Sequence, residues 1–203
     1  MKAKMRKKIL DERKSVSRAG ILAASETIAR RLFRLSEFKR AKTVMFYVSE
    51  GGEVHTHRMI REALRSGKRV LAPAMGEGKK ILLPVAIRDF DRELSPGKWG
   101  ILEPDPKKNS PVSLSEIDLV VIPGVAFDLR GNRLGRGEGY YDSFLKKVFP
   151  AVPRVALAFE WQLVKKVPVA PHDIPVDRII TEKRSIRCDI SIRTLPRRHK
   201  DTK

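Results

Sequence analysis

The sequence predicts a three-layer α/β sandwich in which helices flank a mainly parallel sheet. Short apolar runs rich in β-branched residues alternate along the chain with segments that repeat apolar residues at helical spacing. The strongest apolar run, 118–123 (DLVVIP), is typical of a strand that is buried on both faces. Strands that alternate with helices favour parallel pairing, because each helix returns the chain to the edge where the previous strand began.

The first half of the chain contains one predicted strand–helix–strand unit. An amphipathic helix over 18–38 precedes it, with apolar residues on one face and arginines largely elsewhere. The unit itself consists of a strand at 43–48 (TVMFYV), a helix over 55–66 and a strand that begins at 69–72. Gly67 lies where a helix commonly ends in a left-handed residue.

The second half continues the alternation. After a strand at 81–87, the pattern Ser-Leu-Ser-Glu at 113–116 is a capping box and predicts a brief helix. The strand at 118–123 leads into a glycine-rich loop over 124–139. A helix carrying Tyr141, Leu145, Val148 and Phe149 follows this loop, and further strands are predicted at 154–159 and 178–181.

The composition indicates a basic protein with an anionic partner. The 203 residues include 43 Lys and Arg against 24 Asp and Glu, for a formal net charge of +19. Such a charge predicts an anionic partner but does not identify it. Much of the charge lies at the two ends, within 1–18 and 183–203, where basic arms are commonly solvated. Cys188 is the single cysteine, so the chain can form no internal disulfide and no cysteine-rich metal cluster.

The sequence shows no secretory signal and no membrane-spanning segment. The basic N-terminus is not followed by an uninterrupted apolar stretch, and nowhere do about eighteen apolar residues run together. We therefore expect a cytoplasmic protein without a membrane partner. Because no linker, repeat or low-complexity segment is evident, we expect a single domain over 1–190 and a basic, flexible tail over 191–203.

The glycine-rich loop is the strongest candidate for chemistry. Ligands of open α/β sheets bind where strands end and loops lead into helices. Gly135, Gly137 and Gly139 alternate, so the backbone can adopt positive φ and approach a ligand closely. Exposed backbone N–H groups in such a loop form an anion site, and Arg133 and Arg136 add donors suited to phosphate oxygens.

Two interpretations of this loop remain open from spacing alone. Asp142 follows near the start of the next helix, where a carboxylate could hold Mg²⁺ that bridges to phosphates. The loop is neither a Walker A sequence nor a dinucleotide-binding fingerprint, so a flexible surface loop with solvated arginines fits equally well. Glu138 counts against phosphate, because a carboxylate repels phosphoryl oxygens unless it points away or meets the metal.

Several blocks of sequence occur in a fixed order along the chain. They are VIPGVAFD leading into GNRLGRGEGYYD, with FYVSEGGEVHT at 46–56, WGILEP at 99–104, LAFEWQLV at 157–164 and PHDIPVDRIITE at 171–182. Together with a basic N-terminal helix, these blocks resemble the 5-formyltetrahydrofolate cyclo-ligase family, also called methenyltetrahydrofolate synthetase. The resemblance covers the chain up to about Ile190.

The resemblance implies a Rossmann-like sheet and an ATP site in the glycine-rich loop. Lys2 and Arg6 match a Lys-x-x-x-Arg pair of the family, and their i, i+4 spacing puts both cations on one helical face. Spacing alone would also fit an ordinary solvated basic helix. The implied nucleotide contacts are Lys2, Arg6, Arg133, Leu134, Gly135, Arg136, Gly137, Glu138, Gly139, Tyr140 and Tyr141.

The resemblance also implies a magnesium site and a folate site. Asp142 and Asp177 match the family's magnesium positions, and they must meet through the fold because they are far apart in sequence. Without the resemblance, Asp177 reads as an acid that leads a strand and caps or pairs locally. Val48, Glu53, Trp99 and Tyr140 are the implied folate contacts. A carboxylate at Glu53 suits the ring N–H and amino donors of a pterin, and the aromatic side chains suit stacking.

The implied reaction is the ATP-dependent conversion of 5-formyltetrahydrofolate to 5,10-methenyltetrahydrofolate, ADP and phosphate. The formyl oxygen is phosphorylated and the ring then closes. Arg133 and Asp142 are the implied catalytic residues, Mg²⁺ is the implied cofactor and ATP the co-substrate. We therefore expect small-molecule substrates as partners, no nucleic acid, and a monomeric chain.

The sequence departs from the family pattern at three positions, and alternatives remain. Glu138 replaces a residue that is usually glycine or basic, Ser143 follows the aspartate where arginine is frequent, and His55 replaces a common acid. A basic nucleic-acid-binding protein would use the cationic ends and the arginines at 130, 133 and 136 as phosphate clamps, but aromatic residues are few. An ATP- or sugar-phosphate-binding protein with different chemistry is a third option, because fold does not fix function.

Overall fold

The computed structural model describes residues 1–76, 78, 80–97 and 100–189. Its helices include α1 (Lys2–Lys14), α2 (Arg18–Arg34), α3 (Ser36–Arg40), α4 (His57–Arg65), α5 (Phe90–Glu93) and α6 (Tyr140–Leu145). Its strands include β1 (Thr43–Met45), β2 (Arg69–Met75), β3 (Leu82–Ile87), β4 (Leu94–Pro96), β5 (Leu102–Pro104), β6 (Leu119–Ile122), β7 (Ala126–Phe127), β8 (Arg133–Leu134), β9 (Arg154–Leu157), β10 (Arg178–Ile180) and β11 (Ser185–Arg187). Short 3₁₀ helices lie at Leu114–Glu116 and Glu160–Gln162.

A seven-stranded sheet has the order β11-β10-β9-β6-β1-β2-β3. The strands β10, β9, β6, β1 and β2 pair in parallel, whereas the outer strands β11 and β3 pair antiparallel to their neighbours. The predicted mainly parallel sheet is therefore confirmed. All five parallel strands end at one edge of the sheet, which we call the carboxyl edge, and begin at the opposite, amino edge.

Both faces of the sheet are covered by other elements, as the three-layer prediction requires. In β1, Val44 joins an apolar cluster with Ile28 of α2 and Met59 of α4. The next residue, Met45, joins a second cluster with Phe144 of α6 on the other face. Because successive side chains of a strand point to opposite faces, each face has its own core, and the central strands read as continuous apolar runs.

The predicted strand–helix–strand unit is confirmed, but the helix that precedes it is interrupted. β1 and β2 pair in parallel with Thr43 opposite Arg69, and Gly67 ends α4 with φ +79°. Leu35 has extended dihedral angles (φ −62°, ψ 136°), so the segment predicted as one helix over 18–38 forms α2 and α3. The break lets Phe38 of α3 turn inward, where it is buried against the sheet.

The glycine-rich segment contains a small antiparallel hairpin that the sequence did not predict. β7 pairs with β8, and the buried Asp128 carboxylate accepts hydrogen bonds from the backbone N–H groups of Arg130 and Asn132 in the turn. Ile9 of α1 packs against this hairpin in a third apolar cluster with Val125, Ala126, Leu134 and Val167. The hairpin thus fixes α1 and the start of the glycine-rich loop together.

The remaining predictions agree with the structure in type and differ in extent. α6 ends at Leu145, before Val148 and Phe149, although Val148 is buried in the same cluster as the helix. β11 was not predicted, and it adds an antiparallel edge. In the described ranges, no helix is long and apolar enough to cross a lipid bilayer. The tail over 191–203 lies outside the described residues, so the domain boundary stays a prediction.

Candidate active site

A cavity of about 890 Å³ opens at the carboxyl edge of the sheet. Tyr47 and Val48, which follow β1, line it together with Pro123 and Gly124, which follow β6. The glycine-rich loop before α6 contributes a second wall, and the β2–β3 hairpin contributes a third. The cavity lies where open α/β sheets commonly bind their ligands, because loops from several parallel strands converge there.

The glycine-rich loop adopts the conformations that its glycines allow. Gly137 and Gly139 have φ of +115° and +74°, a region that residues with a Cβ rarely adopt. Arg6 of α1 donates from Nε to the Gly135 carbonyl oxygen at 3.0 Å, and its guanidinium also lies against Gly137. α1 therefore supports the loop from one side, while the other side faces the cavity.

Arg133 and Asp142 form a shielded ion pair at the two ends of the loop. Arg133 Nη2 donates to Asp142 Oδ1 at 2.7 Å, and the two side chains are only 4% and 19% exposed. Arg133 Nε is buried and has no hydrogen-bond partner within the described part of the chain. Because an unpaired buried donor is costly, this atom suits a site that receives a further acceptor, such as a phosphate oxygen.

Arg136 links the glycine-rich loop to the segment that follows β1. Its Nη2 donates to Glu50 Oε2 and to Glu53 Oε1, each at 2.9 Å. Burial lowers the pKa of Arg136, but attraction to Glu53 and Glu50 outweighs this effect and leaves the pKa raised. Glu53 also accepts a hydrogen bond from the Glu50 backbone N–H at 3.2 Å. One guanidinium thus holds together the predicted nucleotide loop and the predicted folate segment.

Cations of α1 reach three different loops around the cavity. Besides Arg6, Lys2 forms an ion pair with Asp173, and Arg13 Nη2 donates to the Glu50 carbonyl oxygen at 2.9 Å. Burial raises the pKa of Asp173, but hydrogen bonds from Lys2 and from the Ala170 N–H outweigh it and leave the pKa lowered. The polar helix α1 therefore forms part of the site.

Tyr47, which is buried, and Tyr141, which is partly buried, give the cavity a neutral wall. Tyr47 is 3% exposed and donates its hydroxyl to the Val54 carbonyl oxygen at 2.8 Å. Burial and the nearby Glu53 carboxylate raise the pKa of Tyr47 and of Tyr141 above the usual phenol value. Both side chains therefore stay uncharged near neutral pH and offer hydroxyl groups and aromatic faces to a ligand.

The structure brings most of the predicted site residues to this one cavity. They are Lys2, Arg6, Val48, Glu53, Arg133, Leu134, Gly135, Arg136, Gly137, Glu138, Gly139, Tyr140, Tyr141 and Asp142. Glu138 is exposed and forms no ion pair with any residue of the described ranges. Trp99, predicted as a folate wall, lies outside the described residues. The individual roles of these residues stay predictions.

Asp177 does not reach the cavity, and its predicted meeting with Asp142 is wrong. Asp177 directly precedes β10 at the amino edge, where its Oδ2 accepts a hydrogen bond from the Arg154 backbone N–H at 2.7 Å. It lines a separate cavity of about 240 Å³ beside Glu37 and Arg178. The two carboxylates line different cavities at opposite edges of the sheet, so they do not share one Mg²⁺ ion.

Sequence reasoning missed several residues that shape the cavity. These are Tyr47, Glu50, Pro73, Met75, Lys80, Leu82, Ile101, Glu103, Lys146 and, as a partner of Lys2, Asp173. Tyr47 and Glu50 belong to the block FYVSEGGEVHT. Because they are close in sequence to Val48 and Glu53, they could have been predicted to line the same site. Lys80 offered no such signal, because its position depends on how the β2–β3 hairpin folds against α6.

The chain is similar to known proteins of one family. A model of the 5-formyltetrahydrofolate cyclo-ligase family matches residues 1–182. The chain is 33% identical over 175 residues to a probable 5-formyltetrahydrofolate cyclo-ligase of Caenorhabditis elegans, covering 81% of this chain and 84% of that protein. It is 30% identical over 187 residues to the 5-formyltetrahydrofolate cyclo-ligase of Mycolicibacterium smegmatis, covering 91% and 95%.

A solved structure shares the whole fold. The NMR structure of the 5,10-methenyltetrahydrofolate synthetase of Aquifex aeolicus matches with a TM-score of 0.82 and 34% sequence identity, covering 99% of each chain. The family match includes the segment after β1, the glycine-rich loop and the residues of α1 that reach them. The chain therefore belongs to the 5-formyltetrahydrofolate cyclo-ligase family.

Proposed function

We propose that this protein uses ATP to convert 5-formyltetrahydrofolate to 5,10-methenyltetrahydrofolate, with ADP and phosphate as the other products. The observation that carries the proposal is the shared cavity, which the cationic glycine-rich loop and the Glu53 segment line together. Two anionic substrates can lie side by side there, which converts a reaction between two molecules into one within a complex. Relatives that carry the name of this activity support the assignment.

We assign the triphosphate of ATP to the loop over 133–139. Backbone N–H groups near Gly137 and Gly139 can approach phosphate oxygens without interference from a Cβ. Arg133 offers its unpartnered Nε, and Arg6 and Lys2 add positive charge from α1. The cavity of about 890 Å³ lies within the range of small-molecule sites.

Asp142 would hold Mg²⁺ in this arrangement. Mg²⁺ is commonly bound through one or two carboxylates together with substrate phosphates and water, so a single aspartate in the cavity fits the ion. The bound ion would neutralise charge on the transferred phosphoryl group. Asp177 has no part in this proposal, because it lies at the amino edge.

We place the pterin of the folate at Val48 and Glu53. The Glu53 carboxylate can accept hydrogen bonds from the ring N–H and amino groups of a pterin, and Val48 provides an apolar contact. The neutral Tyr47 and Tyr141 side chains would support the ring from the same region of the cavity.

The reaction requires activation of a poor electrophile. The formyl carbon is deactivated because its nitrogen donates electrons into the carbonyl group. The formyl oxygen attacks the terminal phosphorus of ATP and the bond to ADP breaks. The neighbouring folate nitrogen then attacks the activated carbon and loses its proton, and the carbon–oxygen bond to phosphate breaks. Arg133 would orient and neutralise the phosphoryl group, and no side chain has to act as a nucleophile.

Arg136 would take part in this sequence by changing partners. In the structure its guanidinium donates a hydrogen bond to Glu53, the carboxylate that we assign to the pterin. Folate binding at Glu53 would therefore release Arg136, which belongs to the phosphate loop and can turn to phosphate oxygens. Folate would thus free Arg136 for the phosphates of ATP, and ATP would free Glu53 for the pterin.

The nucleic-acid alternative gains no support from the structure. Two of its three predicted clamps, Arg133 and Arg136, pair with carboxylates that line the cavity. Of the three, only Arg130 is exposed in a turn and forms no ion pair with a described residue, and one arginine does not form a clamp. The cytoplasmic location and the monomeric state stay predictions.

The proposed function can be tested directly. The purified protein, incubated with ATP, Mg²⁺ and 5-formyltetrahydrofolate, should produce the methenyl product, followed by its near-ultraviolet absorbance. An ATP analogue with a non-transferable terminal phosphoryl group should give no product. Absence of ATP-dependent product from a protein that circular dichroism shows to be folded would overturn the proposal.

A further inference from the structure

We propose that Lys80, at the tip of the β2–β3 hairpin, is a further phosphate-binding residue of the ATP site. The proposal rests on the function inferred above. Lys80 lines the cavity, and its Nζ lies 3.5 Å from the position that a Cβ on Gly139 would occupy. α6, which Gly139 precedes, lies beside β3 of the same hairpin. The amine therefore faces the glycine-rich loop from the opposite wall of the cavity.

The backbone at Lys80 is unusual in a way that favours a functional role. Lys80 has φ +59°, and within the described ranges it is the single residue other than glycine with positive φ. Residues with a Cβ rarely adopt this conformation, and lysine lacks the short polar side chain with which asparagine or aspartate stabilises it. A hydrogen bond from the Gly76 N–H to the Ile81 carbonyl oxygen at 3.1 Å closes the turn and holds this geometry. Strained backbone tends to occur at ligand-binding positions.

Lys80 and Lys146 differ from the other cations of the cavity in that their side chains have no partner among the described residues. Arg133 pairs with Asp142, Arg136 pairs with two glutamates, and Lys2 pairs with Asp173. Lys80 forms no hydrogen bond or ion pair with any residue that the structure describes. An incoming anion can therefore contact its amine without first breaking an ion pair of those residues.

The position of the amine indicates which part of the nucleotide it meets. Glu138 adjoins Gly139, and its carboxylate would repel phosphate oxygens bound at this part of the loop. A lysine that reaches Gly139 supplies the opposite charge at the same place. Lys146 also lines the cavity, but it follows α6 and lies about 10 Å along the chain axis from Gly139. We therefore assign Lys80 to the β- or γ-phosphate oxygens.

The test is isothermal titration calorimetry with ATP, ADP and AMP on the full chain and on Lys80→Met, in the presence of Mg²⁺. Loss of one charge-assisted hydrogen bond should raise the dissociation constant of ATP about 10- to 100-fold. The dissociation constant of AMP, which lacks the β- and γ-phosphates, should stay within about twofold of the unaltered protein. Lys80→Arg should recover part of the loss, because it restores the cation.

Lys147→Met is the matched control, because Lys147 is exposed and lies outside the cavity. This substitution removes the same charge as Lys80→Met. If Lys80→Met binds ATP as Lys147→Met does, the assignment of Lys80 is wrong. Equal weakening of ATP binding and AMP binding by Lys80→Met would also overturn it, because loss of a contact to the β- or γ-phosphate should weaken ATP binding alone. Lys80→Gly keeps the left-handed turn without the amine, so it should show the same selective loss while its thermal unfolding shows an intact fold.

This experiment separates the two proposals. If the unaltered protein neither binds ATP nor forms the methenyl product, the proposed function fails. If it does both and Lys80→Met binds ATP normally, only the inference on Lys80 fails.

Discussion

The two edges of the sheet carry the same types of side chain, aspartate and arginine, in different surroundings. At the amino edge, Asp177 accepts a hydrogen bond from the Arg154 N–H, and Arg178 pairs with Glu37 of α3 at 2.9 Å. These contacts join neighbouring strands and a covering helix. At the carboxyl edge, Asp142 and Arg133 pair beside a cavity of about 890 Å³. The direction of the strands therefore places Asp177 away from the large cavity and Asp142 beside it.

The strongest test of this comparison is Asp142→Asn. The change removes the proposed magnesium ligand and half of the ion pair that orients Arg133. We expect turnover to fall about 100- to 1000-fold, the size of effect seen when one electrostatic contact to a developing charge is lost. The rate of methenyl formation at saturating ATP measures it, and thermal unfolding checks that the variant is folded. An unchanged rate would remove Asp142 from the site.

The matching change at the amino edge is Asp177→Ala. It removes a carboxylate that accepts the Arg154 backbone N–H, so we expect the free energy of unfolding to fall by about 1–3 kcal/mol. Turnover should stay within about twofold, because the side chain lies away from the cavity. Urea unfolding and the methenyl assay measure the two quantities. A turnover loss comparable to that of Asp142→Asn would restore a catalytic role for Asp177.

A third change, Arg136→Met, tests the coupling of the two substrates at the carboxyl edge. If folate binding releases Arg136 from Glu53, folate should lower the dissociation constant of a non-transferable ATP analogue about fivefold in the unaltered protein. The variant lacks the shared group, so the ratio of the two dissociation constants should fall to about one. Arg130→Met, which alters an exposed arginine outside the cavity, should keep the original ratio. An undiminished ratio in Arg136→Met would exclude this coupling.

The smallest expected effect is a pH dependence of stability caused by two histidines near the carboxyl edge. Burial lowers the pKa of His55 and of His57, and the two rings lie 4.4 Å apart at the start of α4. Below the ordinary histidine pKa the unfolded chain therefore binds more protons than the folded one. The free energy of unfolding should be highest above that pKa and decrease as the pH falls toward the lowered values.

Denaturant unfolding between about pH 8 and about pH 5 measures this dependence. The double variant His55→Asn, His57→Gln should flatten the curve, because it removes the two groups whose pKa burial lowers. A curve of the same slope in the double variant would show that other groups cause the pH dependence.

The sequence predicted the parts of the molecule that depend on local pattern. The buried strands near 43–48 and 118–123 and the glycine-rich loop follow from apolar runs and from glycine spacing, and the structure has them. The break at Leu35 could not be predicted, because apolar residues continue at helical spacing through it. The hairpin of β7 and β8 has strands of two residues, which are too short to show a period.

The error at Asp177 has a different origin. The sequence placed a strand at 178–181, and a residue that precedes a parallel strand lies at the amino edge. The strand assignment alone therefore argues against a meeting with Asp142, whereas the family resemblance implies one. Contacts such as that of Lys80 with the Gly139 region had no local signal, because they join segments distant in sequence.

The docking of α1 has a practical consequence for work with this protein. One buried residue, Ile9, anchors the helix, whereas Lys2, Arg6 and Arg13 hold it through polar contacts with three loops. Dissolved ions screen exposed charged contacts, but they leave an apolar core intact. Concentrated buffers should thus loosen the docking of α1 while spectroscopic probes of the sheet still report a native protein. Kinetic comparisons therefore have to be made at matched ionic strength.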